Sequence, residues 1–177
     1  MAEMVQYDLP EEQRMLQDMV RKMAKEQVEP GAAKRDEEAK FSWEMVKLLA
    51  ENGLMGIDFP EAHGGAEAGL LSMILVVEEL SKVDASVGLN VAVQELGTLP
   101  ILLAANEEQK AKYLPALSSG EKLAAFGLTE PGGGSDVARL KCKAERKGDE
   151  YILNGTKNFI TNGGVAETIT VYAITNP

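Results

Sequence analysis

The chain has 177 residues, 45% of them hydrophobic, and a formal net charge of −10 at pH 7, so it suits one domain or one and part of a second, and wholesale disorder is excluded. The negative charge argues against a nucleic-acid partner, because no basic patch could offset phosphate repulsion. The single cysteine excludes an internal disulfide, and the N-terminus lacks a signal-peptide pattern, so we expect a cytoplasmic protein. The longest apolar run, Gly69–Val77, is too short to span a bilayer, so no membrane span is expected.

Residues 1–120 carry the pattern of a helical domain. Asp8 and Glu11 have the spacing of a capping pair at the start of a helix. The apolar residues that follow recur at helical spacing and predict one buried face: Met15, Leu16, Met19, Val20 and Met23. The charge-dense segment 34–40 is expected to be a solvated connection, after which Ser42 should cap a short helix.

The segment from Leu70 to Leu80 is apolar on nearly every face and is too long for a typical strand, so it predicts a buried helix. Glu78 and Glu79 stand at its end. Adjacent helical residues point about 100° apart, so this pair is not expected to work as an acid and a base together. A solvated or capping role is expected for both carboxylates.

The next predicted helix runs from Asp84 to Ala105 and carries the small residues Gly88, Ala92 and Gly97. Small residues let another surface approach closely, which is consistent with helix–helix packing and equally with the wall of a ligand site. Asn106 and Gln109 are then spaced to cap a final helix that ends at Leu114-Pro115. The only histidine, His63, has no second histidine or cysteine nearby, and no metal site is expected.

From residue 121 the pattern changes to that of strands. A short apolar run, Leu123–Leu128, precedes a glycine-rich loop. Apolar and charged residues then alternate from Leu140 to Glu145, which predicts a half-buried strand with Cys142 pointing inward. The chain is expected to turn at Lys147–Asp149.

The Asn154-Gly155 pair is a strong hairpin signal. Two further strands are predicted at Phe159–Thr161 and Thr168–Ile174. Because the helices come first and the strands follow, the pattern predicts an α+β fold with segregated layers or domains, in which residues 121–177 begin a β-domain.

The segment from Gly127 to Asp136 is the most informative motif, with the sequence GLTEPGGGSD. It matches neither G-x-G-x-x-G nor the Walker loop, since its glycines are consecutive and bracketed by a proline, hydroxyls and two acids. Pro131 and the glycines predict a tight turn with bare backbone N–H groups, to which Thr129 and Ser135 add hydroxyls. Such a loop can approach a flat polar ring and a pyrophosphate closely.

Several segments resemble those of the acyl-CoA dehydrogenases, in the same order along the chain. The two most specific are the first motif, LTEP through GSD at residues 128–136, and the second motif, NGTK with ITN at residues 154–162. Weaker similarity extends over GLMGI at 53–57, PE and HGG at 60–65, VEELS at 77–81, and EEQK with KYLP at 107–115. Arg139 departs from the family, which usually has a small residue there. Phe159 stands where many members carry tryptophan, and either ring can cover a flavin face.

The resemblance implies an N-terminal all-α domain (1–120) followed by part of an antiparallel β-barrel-like middle domain (121–177), with FAD held between them. It assigns FAD contacts to Phe126, Leu128, Thr129, Gly134, Ser135, Phe159, Ile160 and Thr161. It assigns acyl-CoA contacts to Ser135, Gly88, Leu89, Ala92 and Leu96.

The activity that the resemblance implies is α,β-dehydrogenation of an acyl-CoA thioester, in an enzyme that is a homotetramer or homodimer and passes electrons to an electron-transfer flavoprotein. No residue matches the position of the family's catalytic glutamate, so no catalytic residue is assigned and we expect the chain to be part of a longer polypeptide. Acyl-CoA oxidases and flavin monooxygenases share the fold and stay open as alternatives, as does a non-catalytic helical binding module.

Overall fold

The computed structural model describes residues 8–175 and has two parts, one helical and one built from short strands. The helices are α1 (Glu11–Met23), α2 (Glu29–Glu38), α3 (Trp43–Glu51), α4 (Gly69–Ser81), α5 (Ala85–Ala104) and α6 (Glu107–Ser118). The strands are β1 (Ala124–Gly127), β2 (Lys143–Lys147), β3 (Glu150–Asn154) and β4 (Thr168–Val171). The predicted α+β class is confirmed.

The first two helices form one continuous rod, because a π-helical turn at Ala24–Val28 joins α1 to α2. The prediction of a solvated connection at residues 34–40 was therefore wrong: α2 continues to Glu38 and ends at Ala39, which has a φ of 49°. The predicted capping pair was wrong as well, since α1 begins after Pro10 and has no side-chain cap. Pro10, whose ring fixes its own φ, occupies the N-cap position that a capping side chain would otherwise take.

The buried core lies between the helices and includes one face of α1, with Val20 and Met23 fully packed. Met15, 65% exposed, and Met19, 41% exposed, lie outside it, so the predicted methionine stripe is only partly buried. Helix α4 is buried as predicted on one side, while Leu70 on its other side is exposed among the described residues.

Glu79 of α4 is 2% exposed, which contradicts the solvated role expected for it. Arg21 donates two hydrogen bonds to its carboxylate, at 3.1 and 3.0 Å, and Lys82 donates a third at 2.8 Å. Burial opposes ionisation of Glu79, but these bonds and the two positive charges outweigh burial and hold its pKa below the ordinary value. The carboxylate ties α1 to α4.

The long helix α5 occupies the centre of the fold. Its first turn is capped by Asp84, whose carboxylate accepts hydrogen bonds from the N–H groups of Ser86 and Val87. Among residues 8–175, only α5 is long and apolar enough to cross a bilayer by length and composition. Its polar residue Gln94 is fully buried and hydrogen-bonded to the backbone of Leu117, Lys122 and Ala124, which is how a polar residue of a core helix packs.

Gly97 of α5 explains how the helical and strand parts meet. A Cβ added at Gly97 would lie 2.8 Å from the Ala124 Cβ and 3.0 Å from the backbone N and O of Ala125, so only glycine lets β1 approach this closely. The Thr170 hydroxyl of β4 donates to the Gly97 carbonyl at 2.8 Å. Of the two roles expected for the small residues of α5, Gly97 therefore has the packing role, and its partner is strand β1 instead of a helix.

The described strands form two pairs. β2 and β3 make an antiparallel hairpin through the turn at Gly148-Asp149, with Lys147 opposite Glu150. β1 and β4 pair in parallel, with Ala124 opposite Thr168. The expected antiparallel arrangement holds for the first pair only, and barrel closure stays a prediction.

Two local predictions in the strand region were wrong. Asn154-Gly155 does not turn a hairpin, because the chain crosses Cys142 there: a Cβ on Gly155 would lie 2.7 Å from the Cys142 Cα. Residues 159–161 do not form a strand, since Phe159 and Asn162 have φ of 57° and 63°, and left-handed backbone interrupts a strand.

The observed ends of α3 and α6 agree more closely with the sequence predictions than the strand region does. Asn106 and Gln109 form the predicted capping box, with both reciprocal hydrogen bonds present. Helix α6 continues past Pro115 to Ser118, so the predicted end at Leu114-Pro115 was three residues early. Ser42 precedes α3 as predicted, although its hydroxyl makes no cap hydrogen bond.

Candidate functional site

The glycine-rich loop after β1 is folded by Glu130. Its backbone N–H and C=O exchange hydrogen bonds with Gly133 at 2.9 and 3.1 Å, which closes the turn over Pro131 and Gly132. Its buried carboxylate reaches forward and accepts hydrogen bonds from the N–H groups of Lys141, at 2.6 Å, and Cys142, at 2.9 Å. Glu130 therefore anchors the loop at both ends, through its backbone at one end and its carboxylate at the other.

Lys157, which belongs to the second motif at residues 154–162, binds both Glu130 and the backbone just before it. Its ammonium donates to the Glu130 carboxylate at 2.8 Å and to the Leu128 carbonyl at 2.9 Å. The hydrogen bond from Lys157 and those from the backbone of Cys142 and Lys141 outweigh burial and lower the pKa of Glu130 to about 2. Glu130 is thus ionised and holds the loop in shape, and it is not a candidate base.

The two motifs touch at one further point. The N–H of Asn158 donates to the Thr129 carbonyl at 2.8 Å, which places the residues after Asn158 beside the glycine loop. Phe159 follows with its ring 92% exposed and its backbone left-handed. A bulky residue rarely adopts that conformation, and such strain is typical of sites that hold a ligand.

Three of the predicted cofactor-contacting residues carry hydroxyls with no hydrogen-bond partner among the described residues: Thr129, Ser135 and Thr161. The N–H groups of Gly134 and Ser135 are also unpaired within residues 8–175. Gly134 packs on Thr129, since a Cβ there would lie 3.4 Å from the Thr129 methyl. These free donors and the exposed aromatic ring fit a flavin dinucleotide, which offers oxygen acceptors and a flat ring.

The other predicted FAD contacts lie on either side of this loop. Phe126 in β1 is partly buried and packs against Tyr172, with ring centroids 5.2 Å apart and ring planes tilted by 56°. Ile160 lines a cavity of about 490 Å³ beside β1 and β4, together with Gly127 and Lys157. Leu128 contributes its carbonyl to Lys157.

Of the predicted substrate contacts, Leu89, Ala92 and Leu96 lie along one partly exposed apolar stripe of α5. Gly88 is buried, and a Cβ added there would collide with the Ser81 hydroxyl of α4, so this glycine allows the two helices to pack closely; its substrate contact stays a prediction. Ser135, the fifth predicted contact, stands exposed in the glycine loop.

A cavity of about 630 Å³ brings Leu89 together with Thr161. It lies between the N-terminal end of α5, the segment after α2 and the second motif, and Asn162 also lines it. The structure thus joins one residue assigned to the acyl chain and one assigned to the cofactor in a single cavity.

Sequence reasoning missed a carboxyl group beside the α5 stripe. Glu95 is half-buried, and its burial, with a smaller contribution from the nearby Asp58 charge, raises its pKa. Burial raises the pKa of Asp58 as well, against its own backbone hydrogen bond. A glutamate three residues after Ala92, in a helix with no other charged residue, was the signal that could have revealed it.

Comparison with known proteins identifies the family. The model for the N-terminal domain of acyl-CoA dehydrogenases matches residues 10–121, and the model for the middle domain matches residues 125–177. The chain therefore belongs to the acyl-CoA dehydrogenase family.

Two curated relatives are an acyl-CoA dehydrogenase of Bacillus subtilis, 45% identical over 168 residues, and a short-chain specific acyl-CoA dehydrogenase of Clostridium acetobutylicum, 44% identical over 171 residues. These alignments cover 94% and 96% of this chain but only 44% and 45% of the relatives. The chain thus spans less than half the length of the curated relatives it matches.

Solved structures show the same likeness. A chain in a structure of the electron transferring flavoprotein of Acidaminococcus fermentans superposes with a TM-score of 0.91 at 42% identity, covering 97% of this chain and 46% of that one. The butyryl-CoA dehydrogenase of Megasphaera elsdenii gives 0.89 at 35% identity, with 98% and 46% covered. A glutaryl-CoA dehydrogenase of Mycobacterium smegmatis in complex with FADH2 gives 0.90 at 34% identity, with 95% and 44% covered.

Proposed function

We propose that the complete protein is an FAD-dependent acyl-CoA dehydrogenase, to which residues 1–177 contribute the helical domain and the cofactor-contacting loops. One observation carries the proposal: the hydroxyls of Thr129, Ser135 and Thr161 lack protein partners among the described residues, in two loops joined by the Asn158–Thr129 hydrogen bond. None of the three residues is buried, so a bound cofactor can replace water as the hydrogen-bond partner of these hydroxyls.

Each part of the chain then has a role. The Glu130–Lys157 anchor holds the glycine loop rigid, so that Gly134 and Ser135 present their N–H groups to the pyrophosphate. Thr129 and Thr161 meet the ring edge, and Phe159 covers a ring face. When bound, FAD accepts the hydride that leaves the acyl β-carbon, while the protein orients the cofactor and the substrate.

The base that removes the α-proton is proposed to lie outside residues 1–177. Glu130 is committed to Lys157 and two backbone N–H groups, and Glu79 to Arg21 and Lys82, so neither carboxylate is free to take a proton. We further propose an electron-transfer flavoprotein as acceptor, in line with the solved structure from A. fermentans. The homo-oligomeric state and cytoplasmic location stay predictions.

Purification of the complete protein tests the proposal. We expect a yellow protein whose flavin absorbance bleaches when an acyl-CoA is added without oxygen, and which reduces a dye acceptor in the steady state. A protein that neither purifies with flavin nor binds added FAD would instead be a helical binding module. Turnover that needs oxygen as the acceptor would indicate an acyl-CoA oxidase.

A further inference from the structure

Asn162, directly after Thr161, is a buried residue with an unusual set of contacts. It is 7% exposed, and its φ of 63° lies in the left-handed region, which asparagine tolerates better than most residues. Its side-chain Nδ2 donates to the Ala124 carbonyl at 3.2 Å. Its own carbonyl accepts hydrogen bonds from the N–H groups of Val165, at 2.9 Å, and Ala166, at 2.8 Å.

The partner of Asn162 is itself fixed from the other side. The Ala124 N–H donates to Gln94 Oε1 at 2.9 Å, and Gln94 is completely buried in α5. Gln94 Nε2 in turn donates to the carbonyls of Leu117, at 2.7 Å, and Lys122, at 2.8 Å. Two side-chain amides therefore clamp the peptide groups of Ala124, at the start of β1, between α5 and the loop of Thr161.

The side-chain oxygen of Asn162 indicates that this residue does more than fill space in the core. Asn162 Oδ1 is buried and has no hydrogen-bond partner within residues 8–175, which is unfavourable. An apolar side chain would avoid that loss, but it could not pair the Ala124 carbonyl and would resist the left-handed backbone. The geometry of the loop thus depends on this one residue type.

We propose that Asn162 is a positioning residue that fixes Thr161 relative to β1, and hence relative to the glycine loop that continues from β1. This inference rests on the proposed function, because it is the FAD contact of Thr161 that makes the position matter. Asn162 lines the same cavity as Thr161. Its effect on the cofactor should nevertheless pass through the Thr161 hydroxyl.

The test is a double-mutant cycle in the complete protein. Asn162→Gly keeps the left-handed backbone and removes the amide, while Asn162→Asp keeps the shape but cannot donate to the Ala124 carbonyl when ionised. Each is combined with Thr161→Ala, and the rate of flavin reduction by butyryl-CoA and the flavin absorption maxima are measured. Asn52→Ala is the matched control, since it removes a 2.8 Å amide-to-carbonyl bond to Leu48 at an exposed helix end.

Either Asn162 variant alone should slow flavin reduction about two- to tenfold and shift the flavin bands, since one hydrogen bond is weakened. In the Thr161→Ala background the same variants should change neither quantity, because the hydroxyl they position is gone. Equal effects in both backgrounds, or wild-type rates and spectra in both Asn162 variants, would overturn the inference. A wild-type protein that binds no flavin would instead overturn the proposed function on which it rests.

Discussion

Lys157 donates a 2.8 Å hydrogen bond to Glu130, across 27 residues of sequence, and this contact joins the two motifs that define the site. Both side chains are largely buried, at 12% and 6% exposure. Lys157 pairs the carboxylate that holds the backbone N–H groups of Lys141 and Cys142 at the far end of the glycine loop, so the shape of the first motif depends on a residue of the second. The acid sensitivity of the loop should therefore depend on this pair.

The pKa of Glu130 is lowered from 4.5 to about 2 in the folded protein. A lowered pKa stabilises the fold above the unfolded value, and this stabilisation is lost as pH falls from about 4.5 through about 2. Glu130→Gln should remove this part of the pH dependence and lower stability at neutral pH, because the amide cannot match the charge-assisted hydrogen bonds.

Urea midpoints of the complete protein and the Glu130→Gln variant, measured between about pH 2.5 and pH 7, check this. The two curves should converge towards the acid end and separate near neutrality. Glu107→Gln is a suitable control, since among the described residues Glu107 forms an ion pair with Lys110 alone, at the exposed start of α6. Parallel curves for wild type and Glu130→Gln would contradict the role given to this carboxylate.

The sequence indicated the helices and the site motifs because both depend on local pattern. The capping box follows from the spacing of Asn106 and Gln109, and the buried α4 follows from a long segment that is apolar on nearly every face. Where local pattern misled, one cause was a long-range contact: Glu79 is buried because Arg21, 58 residues away, reaches it. Likewise Gly155 crosses Cys142 instead of turning a hairpin, because the turn at Gly148-Asp149 had already paired the strands.

The hydroxyls of Thr161 and Ser135 are predicted to contact the cofactor directly. Thr161→Ala and Ser135→Ala should each weaken FAD retention or slow flavin reduction about two- to tenfold, because each removes a hydrogen bond worth roughly 0.5–1.5 kcal/mol. Ser119→Ala is the control, since its hydroxyl makes a comparable bond to the Ala116 carbonyl at the exposed end of α6. Full flavin content and full reduction rate in both site variants would show that the assigned contacts are wrong.

Gly97 is predicted to set the distance between α5 and β1. Gly97→Ala should destabilise the protein by about 1–3 kcal/mol, the usual cost of overpacking, because the added methyl meets Ala124 and the backbone of Ala125. Gly164→Ala is the matched control: its added Cβ meets nothing within 4 Å. Urea unfolding of both variants separates the two cases, and equal midpoints would mean that the contact with β1 relaxes without cost.

Residues 1–177 expressed alone are predicted to bind FAD poorly and to show no dehydrogenase turnover. The physical reason is that neither Glu79 nor Glu130 can serve as the base, and the apolar stripe of α5 and the ring of Phe159 are open to solvent. Flavin titration and a dye-coupled assay with butyryl-CoA check this. Measurable turnover by this segment would place the base within it.

The acyl chain of the substrate is predicted to be uncharged. The α5 stripe of Leu89, Ala92 and Leu96 is apolar, and the sequence has no lysine or arginine between Lys82 and Lys110. The half-buried Glu95, whose pKa is raised by burial and by the Asp58 charge, would further disfavour an anionic tail. Burying a carboxylate without a cationic partner costs several kcal/mol.

The measurement compares kcat/KM of the complete protein for butyryl-, octanoyl-, isovaleryl- and glutaryl-CoA with an electron-transfer flavoprotein or dye as acceptor. Glutaryl-CoA should be the poorest of the four, and chain length is left open because Ala92 leaves room beside the stripe. Ala92→Arg places a cation on the stripe and should raise the preference for glutaryl-CoA over butyryl-CoA, whereas Ala92→Leu, which adds bulk without charge, should not. Glutaryl-CoA as the best substrate of the wild-type protein would show that a cation outside α5 reaches the tail, and the prediction would then be wrong.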